Sequence, residues 1–404
     1  MYRKIGYSMT TMRTWIEINQ DHFNHNISQY KKVIGNRNLS IVIKANAYGH
    51  SITHIAQLAE GNPDVHSFCV ATIDEALSIR AIGAAKPILI TSVLDGDPSS
   101  IINKNVSLAI YDAESARFLQ SIGAKHNAIF PVHIKVDTGL SRLGIAPERA
   151  RDYIRLIQSM PNLSIQGIYS HCAESNKAEN SFTLQQRDLF QAVIEQLLKE
   201  GLQFPFIHFA NSAATTSLDL PFCNLFRVGV GIFGLWPSLD NKLITQEKYP
   251  WFDLKPILTW KTTVRSIKEV SAGSFIGYDR TFQAKTNMCI AAIPVGYYDG
   301  YDFRLFNKAS VIINGMHAPI VGRVSMNMST IDVSHIPNIH IGNEAILMGP
   351  YSHIHPYELG LLAGNPNVRE MTTKINASIA RIITHTDATQ KANLNAYDIQ
   401  SISK

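Results

Sequence analysis

Short apolar, β-rich runs punctuate the first part of the chain. They fall at 41–45 (IVIKA), 67–71 (SFCVA), 87–91 (PILIT), 106–110 (VSLAI), 131–137 (PVHIKVD), 165–170 (IQGIYS), 205–211 (PFIHFAN) and 224–230 (NLFRVGV). Between them the spacing turns helical. SITHIAQLAEG sets Ile52, Ile55, Ala56 and Ala59 on one face, and RDLFQAVIEQLLKEG groups Leu189, Phe190, Val193, Ile194, Leu197 and Leu198, with Gly201 positioned to end that helix. Strands alternating with helices in this way predict an α/β fold, a parallel (β/α)8 TIM-like barrel. After about residue 245 the pattern changes to β-rich runs broken by Gly, Asn and Asp turns, such as PILTWKTTVRSIKEV, NMCIAAIPVG and ASVIINGMHAPIVGRVSMN. The expectation is a barrel over 13–245 and a mostly β C-terminal domain over 246–404, with residues 1–12 packing against the latter. The polar, proline-bearing segment 237–251 reads as the linker.

Composition narrows the functional class. The chain has 404 residues, 45% hydrophobic and 17% charged, which suits two globular domains and argues against wholesale disorder. A net charge of +5 fits small anionic ligands. No basic block interleaved with aromatics points to nucleic acid, and no apolar window of spanning length points to a membrane. The four cysteines, Cys69, Cys172, Cys223 and Cys289, are scattered with no CxxC pair, so neither a disulfide framework nor a zinc site is expected. The N-terminal residues carry no signal-peptide core, and the expected compartment is the cytoplasm.

The residues that are hardest to bury gather at one end of the predicted strands. Lys44 follows the first run, Lys135 ends the fifth with Arg142 beyond it, and His171 follows the sixth. Asn211 and Ser212 close the seventh, and Arg227 interrupts the eighth just before VGVG. In a (β/α)8 barrel the strand C-termini form the reactive face. Cys172 beside His171 is not read as a nucleophile–base pair, because adjacent strand residues point to opposite faces. A lysine in a partly dry barrel mouth loses its proton more readily and becomes a carbonyl nucleophile. Small residues around Ser212 and Gly229 offer backbone N–H groups to a phosphate ester. Together these features suit pyridoxal phosphate.

The blocks IVIKANAYGH, KVDTGLSRLGI, IYSH, HFANSAAT, FRVGVGIFG, IGYDRTF, IPVGYYDGY and IVGRVSMN resemble, in order, those of the alanine racemases, which are pyridoxal-phosphate isomerases built of a barrel and a β domain. The resemblance implies that Lys44 carries the cofactor and acts as the base on the D-alanine side, opposed by Tyr278 on the L side. It implies Arg227 at the pyridine nitrogen, hydrogen-bonded by His171. Tyr48, Ser212 and the backbones of Gly229 and Val230 would hold the phosphate, and Asn211 would also bind the cofactor. Arg142, Met326 and Tyr297 would contact the amino-acid substrate, Arg142 touching the cofactor as well. It also implies a homodimer in which Tyr278 comes from the neighbouring subunit, a carbamylated Lys135, and a role in supplying D-alanine for peptidoglycan.

Two departures touch specificity. Asn327 follows Met326 where an aspartate is common in that family, and Arg369 precedes Glu370 where a tyrosine is typical. The readings that compete are a racemase of broader range, acting on serine or lysine, and a pyridoxal-phosphate-binding protein without catalysis. Against the latter stands the long β-rich region that contains Tyr278.

Overall fold

The computed structural model describes residues 12–365 and 367–386, folded as two compact units. One unit comprises Asn24–Ala47 and Ile52–Leu254. The other contains the described residues up to Phe23, the short stretch Tyr48–Ser51, and the described residues from Lys255 onward. The strand β1 (Thr14–Asn19) therefore clusters with the β-rich unit, and that unit begins at Lys255, not at 246. The expectation for residues 1–12 falls almost wholly on 1–11, which lie outside the described residues.

The first unit is an eight-stranded parallel sheet. Its strands are β2 (Asn38–Val42), β3 (Val65–Val70), β4 (Ile88–Ile90), β5 (Val106–Ile110), β6 (Phe130–Lys135), β7 (Leu163–Tyr169), β8 (Phe206–His208) and β9 (Leu225–Val228). They are ordered β8-β7-β6-β5-β4-β3-β2-β9, so the last strand returns beside the first. The Asn224 N–H donates to Ile207 O at 3.1 Å and the Arg227 N–H to Ala210 O at 3.4 Å, which nearly closes the ring. The strands are short and buried almost throughout, as parallel strands covered by helices are.

Helix Ile52–Glu60 buries the four residues its spacing predicts, Ile52, Ile55, Ala56 and Ala59. Helix Ser181–Lys199 differs from expectation. It buries Phe190, Val193, Ile194 and Leu197 together with Thr183 and Gln186, while Leu189 and Leu198 are exposed. Those two leucines lie one residue step, about 100°, off the buried stripe. Gly201, at φ 81°, takes the left-handed position after this helix, and the Leu202 N–H returns to Leu197 O at 3.1 Å. The segment expected as a linker is a helix, Leu239–Lys248, capped by Ser238 and fastened to the first unit by Thr245 Oγ1, which donates to Thr216 Oγ1 at 2.7 Å.

The second unit is built on β10 (Leu258–Thr263), β11 (Ser266–Val270), β12 (Phe275–Ile276), β13 (Phe282–Gln283), β14 (Met288–Ile293), β15 (Ser310–Ile313), β16 (Met316–Pro319), β17 (Ser329–Asp332), β18 (Glu344–Met348) and β19 (Ala380–Thr384). Six strands form one sheet, ordered β16-β15-β18-β10-β1-β19. In it β1 pairs antiparallel with β10 and parallel with β19. Inside this sheet Lys261 is buried between Glu17 at 3.0 Å and Glu344 at 2.9 Å, and the paired carboxylates raise its pKa against the cost of burial. Among the described residues no helix is long and apolar enough to cross a membrane.

Candidate active site

The chain leaves β2 through an unusual turn. Just past Lys44, Ala45, Asn46 and Ala47 adopt left-handed backbone angles near φ 53°, and Tyr48 follows at φ 54°. Such angles cost an L-residue roughly 1–2 kcal/mol each, so a run of them stands only if neighbours hold it. The Ala47 N–H donates to Ile43 O at 2.9 Å, the Ile43 N–H to Cys69 O at 2.9 Å, and the Ile52 N–H to Asn46 Oδ1 at 2.9 Å. The Lys44 pKa is lowered, first by burial and then by the charge of Arg142, with Glu75 and Cys69 acting in the opposite direction.

A second lysine lies in the same barrel. Lys135, at the end of β6, is only 3% exposed. Burial, then Arg142 and Arg227, bring its pKa down to about 8. Its backbone partner across the sheet is Tyr169, whose own partner is His208, so three neighbouring strands place these residues at one level. The Tyr169 ring stacks on His208 at 4.7 Å with the planes 2° apart. The Arg227 guanidinium lies 5.1 Å, and the Lys135 Nζ 5.7 Å, from the centre of the same ring.

Arg227 is 4% exposed, and both of its terminal nitrogens hydrogen-bond inside the barrel. Its Nη1 donates to His208 Nδ1, and its Nη2 reaches Ser170 O at 2.9 Å, Phe209 O at 3.2 Å and His171 Nδ1 at 3.2 Å. A guanidinium has no acceptor, so both histidines accept at Nδ1 and carry their proton on Nε2. His208 Nε2 then donates to His133 Nδ1 at 2.9 Å. Burial and the Arg227 charge hold His171 and His208 well below their ordinary pKa and push His133 down to about 3. The result is one arginine charge braced by neutral imidazoles.

His208 and His133 were not among the residues singled out from the sequence. The signal was present in the alternation of PVHIKVD, which puts His133 on the same strand face as Lys135. Gly167 makes room for that histidine, since a Cβ there would stand 2.5 Å from His133 Nδ1.

A small donor nest follows β8 and β9. The Gly229 N–H donates to Ser212 Oγ at 2.9 Å and the Gly231 N–H at 3.4 Å, while the buried Tyr30 hydroxyl also hydrogen-bonds Ser212. Gly231 permits the close packing, since a Cβ would meet Tyr30 Oη at 2.0 Å. Val230 opens the 3-10 turn Val230–Phe233 beside this nest. Asn211 is committed elsewhere. Its Oδ1 caps the helix Ser212–Ser217 through the Ala214 N–H at 3.0 Å and accepts from Ser175 Oγ at 2.9 Å. Cys172 is buried with its thiol pushed up to about 12, which fits its exclusion as a nucleophile. Arg142 is exposed and forms no ion pair among the described residues. Lys44, Lys135, Arg142, His171, Asn211, Ser212, Arg227, Gly229 and Val230 thus all belong to the barrel unit and follow or end its strands.

The remaining candidates, Tyr48, Tyr278, Tyr297 and Met326, belong to the β-rich unit. There the loops bearing the last three adjoin. The Tyr297 N–H donates to Ser325 O at 3.1 Å and the Tyr298 N–H to Met326 O at 2.9 Å. Gly296 is required for that approach, since a Cβ would stand 2.1 Å from Ser325 O. The turn Tyr278–Arg280 is tied to the next loop by an ion pair between Asp279 and Arg323. Tyr278 is 69% exposed, and Met326 and Tyr297 are also exposed. Arg369, on helix Val368–Thr373, reaches Asn367 Oδ1 at 3.4 Å.

Known proteins share this architecture. The family model for the N-terminal domain of alanine racemase matches residues 18–237, and that for the C-terminal domain matches 257–383. An alanine racemase of Halothermothrix orenii is 35% identical over 342 residues, spanning 84% of this chain and 88% of that one. The solved alanine racemase of Clostridium difficile 630 superposes with a TM-score of 0.86 at 26% identity, covering 96% of this chain and 99% of that one. The alanine racemase of Bacillus anthracis, solved with bound L-Ala-P, gives a TM-score of 0.82 at 29% identity, covering 96% and 98%. By sequence and by fold, this chain belongs to the alanine racemase family of isomerases.

Proposed function

We propose that the protein interconverts L- and D-alanine by a two-base mechanism with pyridoxal phosphate bound in the barrel. The observation that carries the reading is the pairing, within one unit, of a lysine whose pKa is lowered with an arginine held by neutral histidines. The residues present fit the cofactor. Lys44 supplies an amine that deprotonates readily, and Ser212 with the backbones of Gly229 and Val230 would form a small polar nest for a phosphate. The Tyr169 hydroxyl is buried without a hydrogen-bond partner among the described residues. Tyr48 would complete the hold on the phosphate, and Asn211, by capping the helix that begins at Ser212, would fix that serine in place. When bound, the cofactor would supply a conjugated ring that takes up the electron pair left as the substrate Cα–H ionises.

The protein's own groups would do the rest. Arg227, whose guanidinium offers donors only, would face a ring nitrogen, with His171 and His208 fixing its orientation. Arg142 and the backbone of Met326 would hold the substrate carboxylate, with Tyr297 lining the pocket. Inversion at Cα needs a proton removed on one face and delivered on the other, and two groups are required for that. Lys44 Nζ would serve the D side and Tyr278 Oη the L side.

In this reading Tyr278 reaches the barrel of a second copy of the chain. Support comes from its exposure, shared by Phe275, Tyr298, Met326 and Met328 on the same unit. A homodimer with shared active sites would cover them. Lys135 would be carbamylated: its neutral Nζ adds to the carbon of CO₂, an N–C bond forms and one proton leaves. The resulting anion would orient Arg142. The product would feed peptidoglycan in the cytoplasm, a setting compatible with four free cysteines.

The test is incubation with L-alanine in D₂O, following deuterium entry at Cα and formation of D-alanine. Exchange with equal accumulation of both enantiomers is expected. Binding of pyridoxal phosphate without exchange would leave a carrier protein instead.

A further inference from the structure

A side chain from a neighbouring helix reaches the left-handed turn after β2. Glu75, in helix Ile73–Ala81, accepts the Ala45 N–H at Oε1 (2.6 Å) and the Ala71 N–H at Oε2 (2.8 Å). Ala71 directly follows β3 and Ala45 lies three residues past the end of β2, and the last backbone bond between those strands is that from the Ile43 N–H to Cys69 O. One carboxylate therefore continues the ladder past its end and binds both strand exits together. It is well placed to do so, because Glu75 lies in the first turn of its helix, whose N-cap Thr72 accepts the Glu75 N–H at 3.1 Å.

We propose that Glu75 is a positioning residue for Lys44: its carboxylate clamps the strained turn that sets where the lysine amine points. The inference rests on the reading of Lys44 as the cofactor-bearing residue. Its physical basis is the imbalance at the turn. Consecutive left-handed L-residues cost energy, and the Ala45 N–H has no strand to pair with. A carboxylate makes stronger bonds to two N–H groups than a neutral acceptor does. Its negative charge also opposes the effect of burial and Arg142 on the Lys44 amine. Alanine at 45 and 47 gives the turn no side-chain support of its own, and Asn46 spends its carbonyl on the Ile52 N–H. Without Glu75 the Ala45 N–H loses its acceptor and the first residue of the turn can relax toward right-handed angles, which would swing the adjacent lysine away.

Purified holoenzyme with Glu75→Gln tests this, since the amide turns a donor toward one of the two N–H groups while keeping the shape. Three quantities are read: kcat and KM for L-alanine at saturating pyridoxal phosphate, loss of pyridoxal phosphate on dialysis, and Tm. The proposal expects kcat to fall at least about tenfold and pyridoxal phosphate to leave at least about tenfold faster, with KM within about twofold. Glu75→Asp, which keeps the charge on a shorter arm, should fall between the two. A lower Tm with kcat and cofactor retention within about twofold of wild type would assign Glu75 a merely structural role and overturn the proposal. If Glu75→Gln fails to fold, Glu75→Asp decides by the same two readouts, loss supporting the proposal and retention within about twofold overturning it. Wild-type protein that neither binds pyridoxal phosphate nor racemises alanine would refute the underlying reading instead, whatever the variants do.

Discussion

The barrel mouth and the Tyr278 loop are built on opposite principles. In the barrel, function is assembled from burial. Lys135 and Arg227 are nearly inaccessible, both terminal nitrogens of Arg227 hydrogen-bond within the barrel, and Arg142 and Arg227 add to burial in lowering the Lys135 pKa. Around Tyr278 function is assembled from exposure. Gly277 and Gly322 let the two loops approach closely and the Asp279–Arg323 pair ties them, yet the phenol projects into solvent and forms no hydrogen bond among the described residues. Exclusion of water is the first cause of the pKa shifts at Lys44 and Lys135. The barrel does this unaided, whereas the tyrosine depends on what covers it.

Substitutions at the two regions should therefore fail differently. Lys44→Ala is expected to abolish racemisation and the visible absorbance of bound pyridoxal phosphate together, read by a coupled assay and a spectrum. Tyr278→Phe should keep that absorbance and the wild-type melting temperature while lowering turnover from L-alanine about 10²–10⁴-fold. A Tyr278→Phe enzyme with wild-type kcat would remove the phenol from the mechanism. His208→Leu sharpens the contrast from the buried side. It leaves an Arg227 donor unpaired and should cost about 1–3 kcal/mol of stability in denaturant unfolding, a penalty Tyr278→Phe should not show.

The smallest expected effect concerns Lys135. Only the neutral amine reacts with CO₂, and its folded pKa is depressed to about 8. The carbamate fraction should thus rise as bicarbonate-equilibrated enzyme is brought up through pH 8 and fall below it. Intact-mass measurement checks this, and a fraction independent of pH would contradict it. Where the amine stays unmodified, the sign for stability is the same. Below about pH 8 the folded protein bears the buried ammonium, and stability increases between there and the unfolded lysine value near pH 10.5.

The eight barrel strands and the lysine at the first strand's end were legible because both follow local rules, period and strand polarity. Two features were not. Pairing of β1 with β10 and β19 joins residues far apart in sequence, and no local pattern in TWIEIN names those partners. The left-handed turn is equally silent, since Ala45 and Ala47 favour right-handed helix and only Asn46 tolerates the angles. The tertiary bond from Glu75 overrides that propensity. His208 was passed over for a different reason: a histidine inside a strand reads as a hydrogen-bonded core residue until Arg227 is known to lie beside it.

The central claim is that a lysine from one chain and a tyrosine from another complete each site. Mixing subunits tests it most directly. Lys44→Ala and Tyr278→Phe proteins, each inactive alone, are co-refolded or co-expressed in equal amounts and assayed for alanine racemisation. A shared-site dimer regenerates one intact site in each heterodimer and should recover about a quarter of wild-type activity. No recovery, with heterodimers demonstrated by differential tagging, would mean that both bases come from the same chain.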